Sequence, residues 1–282
     1  MKYYDDLTAV ITGAASGIGY ALAKECISRN MKVVLADIDS IALEKAKNSL
    51  GNEESGCISF RTDVAKEPDV RTLAKYVNGT FAKVDFLFIN AGVNILANTW
   101  EYEIWDWKWI IDVNLWGTIH CLTSFLPLMI SQNNDAFIVF TSSAGAFLPF
   151  QTAGPYNATK SAIVALAETL YNELLIKKSR VKLRVVCPGM VNTNLDKAET
   201  HRQPEYKNPQ VDYASAKRQP HYIPHSAVEA GVDVNEVTKA IFDSIEKDEF
   251  YVFPQPNLKT MIAHRLDLIL RKNMPMDLSR AI

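Results

Sequence analysis

One junction near the start constrains this chain most. The apolar run at residues 7–12, LTAVIT, passes directly into TGAASGIG and then into a helix-like segment at 20–30, YALAKECISRN. This is a strand, a Gly-rich turn and a helix. Glycines let a backbone turn tightly and approach a pyrophosphate, while the helix N-terminus offers free N–H groups and a partial positive charge. The glycines fall at Gly13, Gly17 and Gly19, a GxxxGxG spacing that departs from the GxGxxG dinucleotide pattern. With Ser16 and Ile18 between them, they make a candidate phosphate cradle.

The same alternation continues. Apolar runs at 32–36, 57–62, 85–90, 136–143, 182–186 and 250–253 are separated by helix-like segments. Strand and helix alternating six times before a final strand imply an α/β fold, a doubly wound parallel sheet with helices on both faces. We expect one Rossmann domain over residues 1–282, with ligands at the carboxyl ends of the strands. The second run ends at Asp37, twenty positions after Gly17. A carboxylate there accepts hydrogen bonds from a ribose diol and repels a 2′-phosphate, so NAD is favoured over NADP. Capping of the next helix is the other role open to Asp37, although Asp39 and Ser40 are better placed for it.

Residues 141–160, TSSAGAFLPFQTAGPYNATK, concentrate the candidate chemistry. Tyr156 and Lys160 stand four apart, which puts phenol and ammonium on one helix face. A phenol is a poor base at neutral pH, but a neighbouring cation favours its phenolate. Ser143, at the end of the fifth apolar run, offers a hydroxyl to a substrate oxygen. Such a pair also arises by chance on many helices.

Ser143 lies thirteen positions before Tyr156, and this Ser, Tyr-x-x-x-Lys pattern, with TGxxxGIG, resembles the short-chain dehydrogenase/reductase family. The resemblance, carried by motifs between residues 7 and 193, implies an oxidoreductase that interconverts a secondary alcohol and a ketone. Tyr156 would be the acid/base group, and Lys160 would lower its pKa and hold the nicotinamide ribose. Asn114, within VNLWG, would support a proton relay through a bent helix. For the cofactor, the resemblance assigns Asp63 and Val64 to the adenine and Asn90, Ala91 and Gly92 to the sheet edge. Pro188 and Gly189 would line the nicotinamide pocket, and Thr193 would bond the carboxamide or a phosphate. Ser16 and Ile38 are neutral where NADP-preferring relatives often carry a base. Relatives are often homo-oligomers built on two long helices, here 100–130 and 156–177, so we expect a dimer or tetramer.

The remaining chain is less specific. Residues 194–230 are polar, proline-bearing and aperiodic, and the resemblance makes them a substrate lid; His201, Tyr206, Tyr213, His221, Tyr222 and His225 are its candidate contacts. Residues 257–282 should form an amphipathic helix and a basic tail, packing over the cleft or a neighbouring subunit, or lying on a membrane surface. Trp100, Trp105, Trp107, Trp109 and Trp116 suggest core or a subunit interface, and His120 and Cys121 suggest packing. Phe147, Leu148 and Phe150 favour a hydrophobic substrate.

Composition sets outer limits. Thirty Lys and Arg against 32 Asp and Glu give a net charge of -2, which offers no electrostatic footprint for nucleic acid or an anionic membrane. Cys26, Cys57, Cys121 and Cys187 are scattered, without metal-ligand spacing, and suit reduced core positions in a cytoplasmic protein. We expect no metal and no membrane span. The rival function is a non-catalytic NAD-binding protein on the same fold. An epimerase or dehydratase of the longer branch would need a larger C-terminal domain and another glycine spacing.

Overall fold

The structure is a computed structural model that describes residues 4–51, 56–210 and 230–278. Its strands form where β-branched and aromatic residues run together: β1 (Thr8–Thr12), β2 (Lys32–Asp37), β3 (Cys57–Arg61), β4 (Phe86–Ile89), β5 (Ala136–Thr141), β6 (Val181–Val186) and β7 (Tyr251–Val252). All pair in parallel in the order β3-β2-β1-β4-β5-β6-β7. Buried on both faces, the inner strands cannot alternate in polarity, which is why β1 and β4 are apolar throughout their buried lengths apart from the threonines of β1. The order reverses between β1 and β4, and the crevice at such a switch point is where α/β sheets bind ligands.

Helices cover both faces. The first is packed by α1 (Gly17–Ser28), α2 (Ser40–Leu50) and α7 (Val234–Lys247), through Leu22, Cys26, Leu43, Ile241 and Phe242. The second is packed by α3 (Glu67–Phe81), α4 (Ile104–Ile111), α5 (Gly117–Ser131) and α6 (Gly154–Lys177), through Leu73, Trp109, Phe125, Ile163 and Leu170. A last helix, α8 (Asn257–Lys272), lies apart from both layers. Its Leu258, with Leu278 of the tail, joins Ala144 and Leu148 in a small third cluster.

One expectation is corrected. The helix expected from residue 100 starts at Ile104, and a π-helical turn, Asp112–Trp116, divides it into α4 and α5. Of the tryptophans, Trp109 is fully buried and Trp107 packs against the core, whereas Trp100 is 82% and Trp116 48% exposed. The π-turn shifts the helical phase between Trp109 and Trp116, so these two do not share a face. By length and composition Ile104–Ser131 is apolar enough to cross a membrane. Here it packs Trp109, Phe125 and Met129 against the sheet. The four cysteines are free and buried.

Candidate active site

The Gly-rich turn leaves β1 with Gly13 at φ +66° and Gly17 at φ +54°, conformations that side chains adopt only with strain. A Cβ on Gly19 would lie 2.1 Å from the Gly13 carbonyl oxygen, so β1 and α1 meet this closely only through glycine. Asp37 braces the turn from the end of β2. Its Oδ2 accepts the Ala15 N–H at 3.0 Å and its Oδ1 the Asp39 N–H at 3.1 Å. Asp39 caps α2 through the N–H groups of Ile41 and Ala42, which removes capping of α2 as an explanation for Asp37.

Neighbouring strand ends complete this half of the site. Asp63 is buried and accepts the Ala65 N–H at 3.0 Å, and Val64, also buried, packs beneath Gly117. Asn90 donates to the carbonyls of Thr12 and Gly13 and accepts from the Thr141 hydroxyl, tying three strand ends together. The Thr12 hydroxyl accepts the N–H groups of Asn90 and Ala91. Gly92 faces the next group of residues: a Cβ there would lie 3.4 Å from both Asn114 Oδ1 and Lys160 Nζ.

Asn114 sits in the π-turn, fully buried. Its Oδ1 accepts the Val93 N–H at 2.8 Å, and its Nδ2 donates to the Val93 carbonyl at 3.0 Å and to Thr159 Oγ1 at 3.2 Å. The amide thus grips one residue of the segment after β4 by both backbone groups, as a buried amide must if its polar atoms are to be satisfied.

Ser143 stands two residues beyond β5, where its Oγ accepts the Gly145 N–H at 3.1 Å. Tyr156 and Lys160 lie on the first turns of α6, both buried. Lys160 Nζ donates to the Thr141 carbonyl at 2.8 Å and lies 5.5 Å from the centre of the Tyr156 ring. Burial raises the Tyr156 phenol above its ordinary value, and the hydrogen-bonding Ser143 hydroxyl opposes this. Burial also lowers Lys160 to about 8. Desolvation is thus the largest influence on the phenol, and the Ser143 hydroxyl works against it.

The chain after β6 closes the far side. The Pro188 carbonyl accepts the Ala144 N–H at 2.8 Å, which binds this turn to the Ser143 turn. Thr193 comes close to the Gly-rich turn, its Cγ2 3.3 Å from where a Gly17 Cβ would lie. Beyond it, short 3-10 helices, Leu195–His201 and Pro204–Tyr206, are pinned to the body. Arg202, buried, donates to Asp106 at 2.7 Å and lies 4.5 Å over the Trp109 ring. Tyr206 Oη donates to Asp112 at 3.1 Å, and His201 Nδ1 lies 3.6 Å from Asp39 Oδ2. Tyr206 is therefore a buried anchor of the expected lid. Tyr213, His221, Tyr222 and His225 lie outside the described residues. His120 packs as expected, stacked on Trp116, and its Nδ1 is 2.9 Å from the Val64 carbonyl.

These pieces border one cleft of about 1470 Å³. It runs from Asp37 and Asp63 past Gly13–Ile18 and Asn90–Asn94 to Ser143, Tyr156 and Lys160. It ends among Leu148, Phe150, Leu258, Met261 and Leu278. Pro188, Gly189 and Thr193 line it as well. The candidate catalytic and cofactor residues other than Gly19 and Asn114 border the cleft, whereas Phe147, expected in the apolar pocket, packs instead against Tyr251 and Phe253. The open N-terminus of α1, without an acidic residue in its first turn, suits a pyrophosphate, and the volume suits a dinucleotide with a substrate beside it. Among the described residues no cluster of three or more His, Cys, Asp or Glu could hold a metal ion.

Residues 7–204 match the model of the short chain dehydrogenase family. The chain belongs to this family of oxidoreductases. It is similar to a short-chain dehydrogenase/reductase of Burkholderia phymatum solved in complex with NAD, at 35% identity and a TM-score of 0.91, covering 98% of this chain and 99% of that one. A CLA biosynthesis dehydrogenase/reductase of Lactiplantibacillus plantarum is 28% identical, over 98% of this chain and 97% of the relative. A C alpha-dehydrogenase of a Sphingobium strain is 29% identical, over 98% and 90% respectively.

Sequence reasoning missed several positioning groups. Thr12, Thr141 and Thr159 act through hydroxyls at the ends or inside of regular elements, where threonine gives no distinctive signal. Arg202 lies in an aperiodic stretch and meets a partner, Asp106, 96 positions away, and the C-terminal residues of the cleft are far from the motifs along the chain.

Proposed function

We propose that this short-chain dehydrogenase interconverts a hydrophobic secondary alcohol and its ketone with NAD. The observation that carries the reading is the convergence of Ser143, Tyr156 and Lys160 in the cleft that the Gly-rich turn opens. When bound, the nicotinamide supplies the hydride acceptor, or in reduction the donor. The chain supplies the rest. Ser143 Oγ holds the substrate oxygen, Tyr156 Oη takes the hydroxyl proton in oxidation and returns it in reduction, and Lys160 favours the phenolate and holds the nicotinamide ribose. Asn114 keeps the Val93 segment in place and supports proton exchange.

For the cofactor, Gly13, Ser16, Gly17, Ile18 and Gly19 with the α1 N-terminus would hold the pyrophosphate, and Asp37 the adenosine ribose. Asp63 and Val64 would flank the adenine, Asn90, Ala91 and Gly92 the sheet edge, and Pro188, Gly189 and Thr193 the nicotinamide. The NAD complex of the Burkholderia relative and the carboxylate at Asp37 both favour NAD. Leu148, Phe150, Leu258, Met261 and Leu278 at the far end favour an apolar substrate. Residues 194–230 would act as the substrate lid, and homo-oligomerisation through the long helices follows the family.

The test is a screen of secondary alcohols and ketones, apolar to polar, followed through the absorbance of reduced nicotinamide with NAD(H) and NADP(H) in parallel. Turnover of apolar members with NAD is the expected result. NAD binding by calorimetry without turnover on any member would favour the non-catalytic alternative.

A further inference from the structure

Past β7 the chain reaches Gln255, outside the residues that match the family model. Its carboxamide clasps two successive residues of the turn after β6. Oε1 accepts the Gly189 N–H at 2.9 Å, and Nε2 donates to the Met190 carbonyl at 2.9 Å. A carboxamide in this orientation satisfies both groups, since one is a donor and the other an acceptor, whereas a carboxylate could satisfy only the donor. The Met190 carbonyl also accepts the Val232 N–H at 3.1 Å, so the turn is held from two sides.

The turn leads on to the reacting residues. The Pro188 carbonyl accepts the N–H of Ala144, the first residue of the 3-10 turn that Ser143 caps. The Gln255 carbonyl in turn accepts the Leu258 N–H at 3.2 Å, opening α8, and Leu258 packs against Ala144 and Leu148. One residue therefore joins the Pro188–Gly189 turn, the Ser143 turn and the apolar wall by short, local links.

We infer that Gln255 is a positioning residue that sets the nicotinamide end of the cleft by holding Gly189 and Met190 in register with Ser143. The inference rests on the cofactor placement proposed above. Its side chain reaches the cofactor site only through the backbone it grips, so its effect should be confined to the nicotinamide end.

The experiment compares calorimetric binding of NADH and of ADP-ribose, which lacks the nicotinamide, to the wild-type chain, Gln255→Ala and Gln255→Glu. Alanine removes both hydrogen bonds. Glutamate keeps the size and one acceptor but turns a second acceptor on the Met190 carbonyl. Both variants should bind NADH about tenfold more weakly, the scale of one or two lost hydrogen bonds, with ADP-ribose changed by less than about twofold. A loss shared equally by both ligands, or no loss of either, would overturn the inference, since the first marks a general structural role and the second none. If Gln255→Ala does not fold, the isosteric Gln255→Glu carries the comparison. A wild-type chain that binds neither ligand would instead remove the cofactor placement, a different failure from an unselective variant.

Discussion

Around the Gly-rich turn, the cleft is shaped by backbone: glycines at positive φ, strand ends tied by Asn90 and Thr12, and a helix N-terminus. Around the far end it is shaped by side chains from two distant stretches, Leu148 and Phe150, and Leu258, Met261 and Leu278. The first arrangement tolerates little change, because a Cβ in the wrong place meets another backbone. The second is an apolar surface that can be repacked, since volume-conserving changes cost little. The difference teaches where specificity can vary on this scaffold: the end at the glycine turn, where we place the cofactor, is fixed by backbone, and the apolar end, where we place the substrate, is exchangeable.

The sharpest break of that comparison is at the junction of the two ends. Tyr156→Phe should lower turnover by about a thousandfold or more, with NAD affinity within a few fold of wild type, because it removes the proton acceptor and little else. A variant that keeps near-normal turnover in steady-state assays would end the proposed mechanism. At the cofactor end, Gly19→Ala puts a Cβ 2.1 Å from the Gly13 oxygen and must displace the turn. NAD affinity should fall by about a hundredfold by calorimetry, roughly the effect of losing several pyrophosphate hydrogen bonds. Affinity near wild type would show that the turn does not hold the cofactor.

Asp37→Ala should weaken NAD about tenfold and NADP less, narrowing the preference, because the carboxylate both accepts from a ribose and repels a phosphate. Equal losses would remove Asp37 from the ribose site. Leu258→Ala, at the exchangeable end, should raise KM several-fold for the most apolar substrates of the screen while leaving NAD affinity unchanged, in proportion to the apolar surface that the shorter side chain no longer covers. A shift in NAD affinity of the same size would mean the two ends are not independent.

The smallest effect concerns pH. Lys160, near 10.5 in the unfolded chain, is lowered to about 8 by burial, so between these values the folded state binds fewer protons and this group makes stability rise with pH. The buried thiols act in the opposite sense: Cys57, raised to about 11, and Cys121 and Cys187, each raised to about 12, hold protons that the unfolded chain releases, and stability falls with pH above about 9. Urea denaturation at pH 8 and pH 10 should therefore show a steeper loss of stability for Lys160→Met than for wild type. Equal slopes would show that Lys160 remains an ordinary ammonium in the folded chain.

Much of the glycine-turn end of the cleft was legible in the sequence, and little of the apolar end was. Gly13, Gly17 and Gly19 are visible at once because a strand, a tight turn and a helix follow one another within a short stretch. Tyr156 and Lys160 are visible because helical period alone puts them on one face. The π-turn at Asp112–Trp116 was not visible in the periodicity, since its apolar residues continue the helical pattern and only Asn114 departs from it; a bend there came from the family resemblance alone. Trp116 consequently lies partly exposed where periodicity placed it with Trp109.

Local order along the chain, then, determined the strands, the glycine turn, the parallel alternation and the spacing of the acid/base pair, because each depends on residues a few positions apart. Tertiary structure alone decided that Asn114 grips Val93, that Ser143 is the hydroxyl favouring the Tyr156 phenolate, that Arg202 anchors the chain after β6 against Trp109, and that Gln255 closes on Gly189. Those pairings join residues separated by 13 to 93 positions. They form only once the sheet order β3-β2-β1-β4-β5-β6-β7 has brought the carboxyl ends of distant strands to one edge. No periodicity in a sequence records which of many polar side chains will meet across such an edge, because the meeting is set by the packing of whole layers.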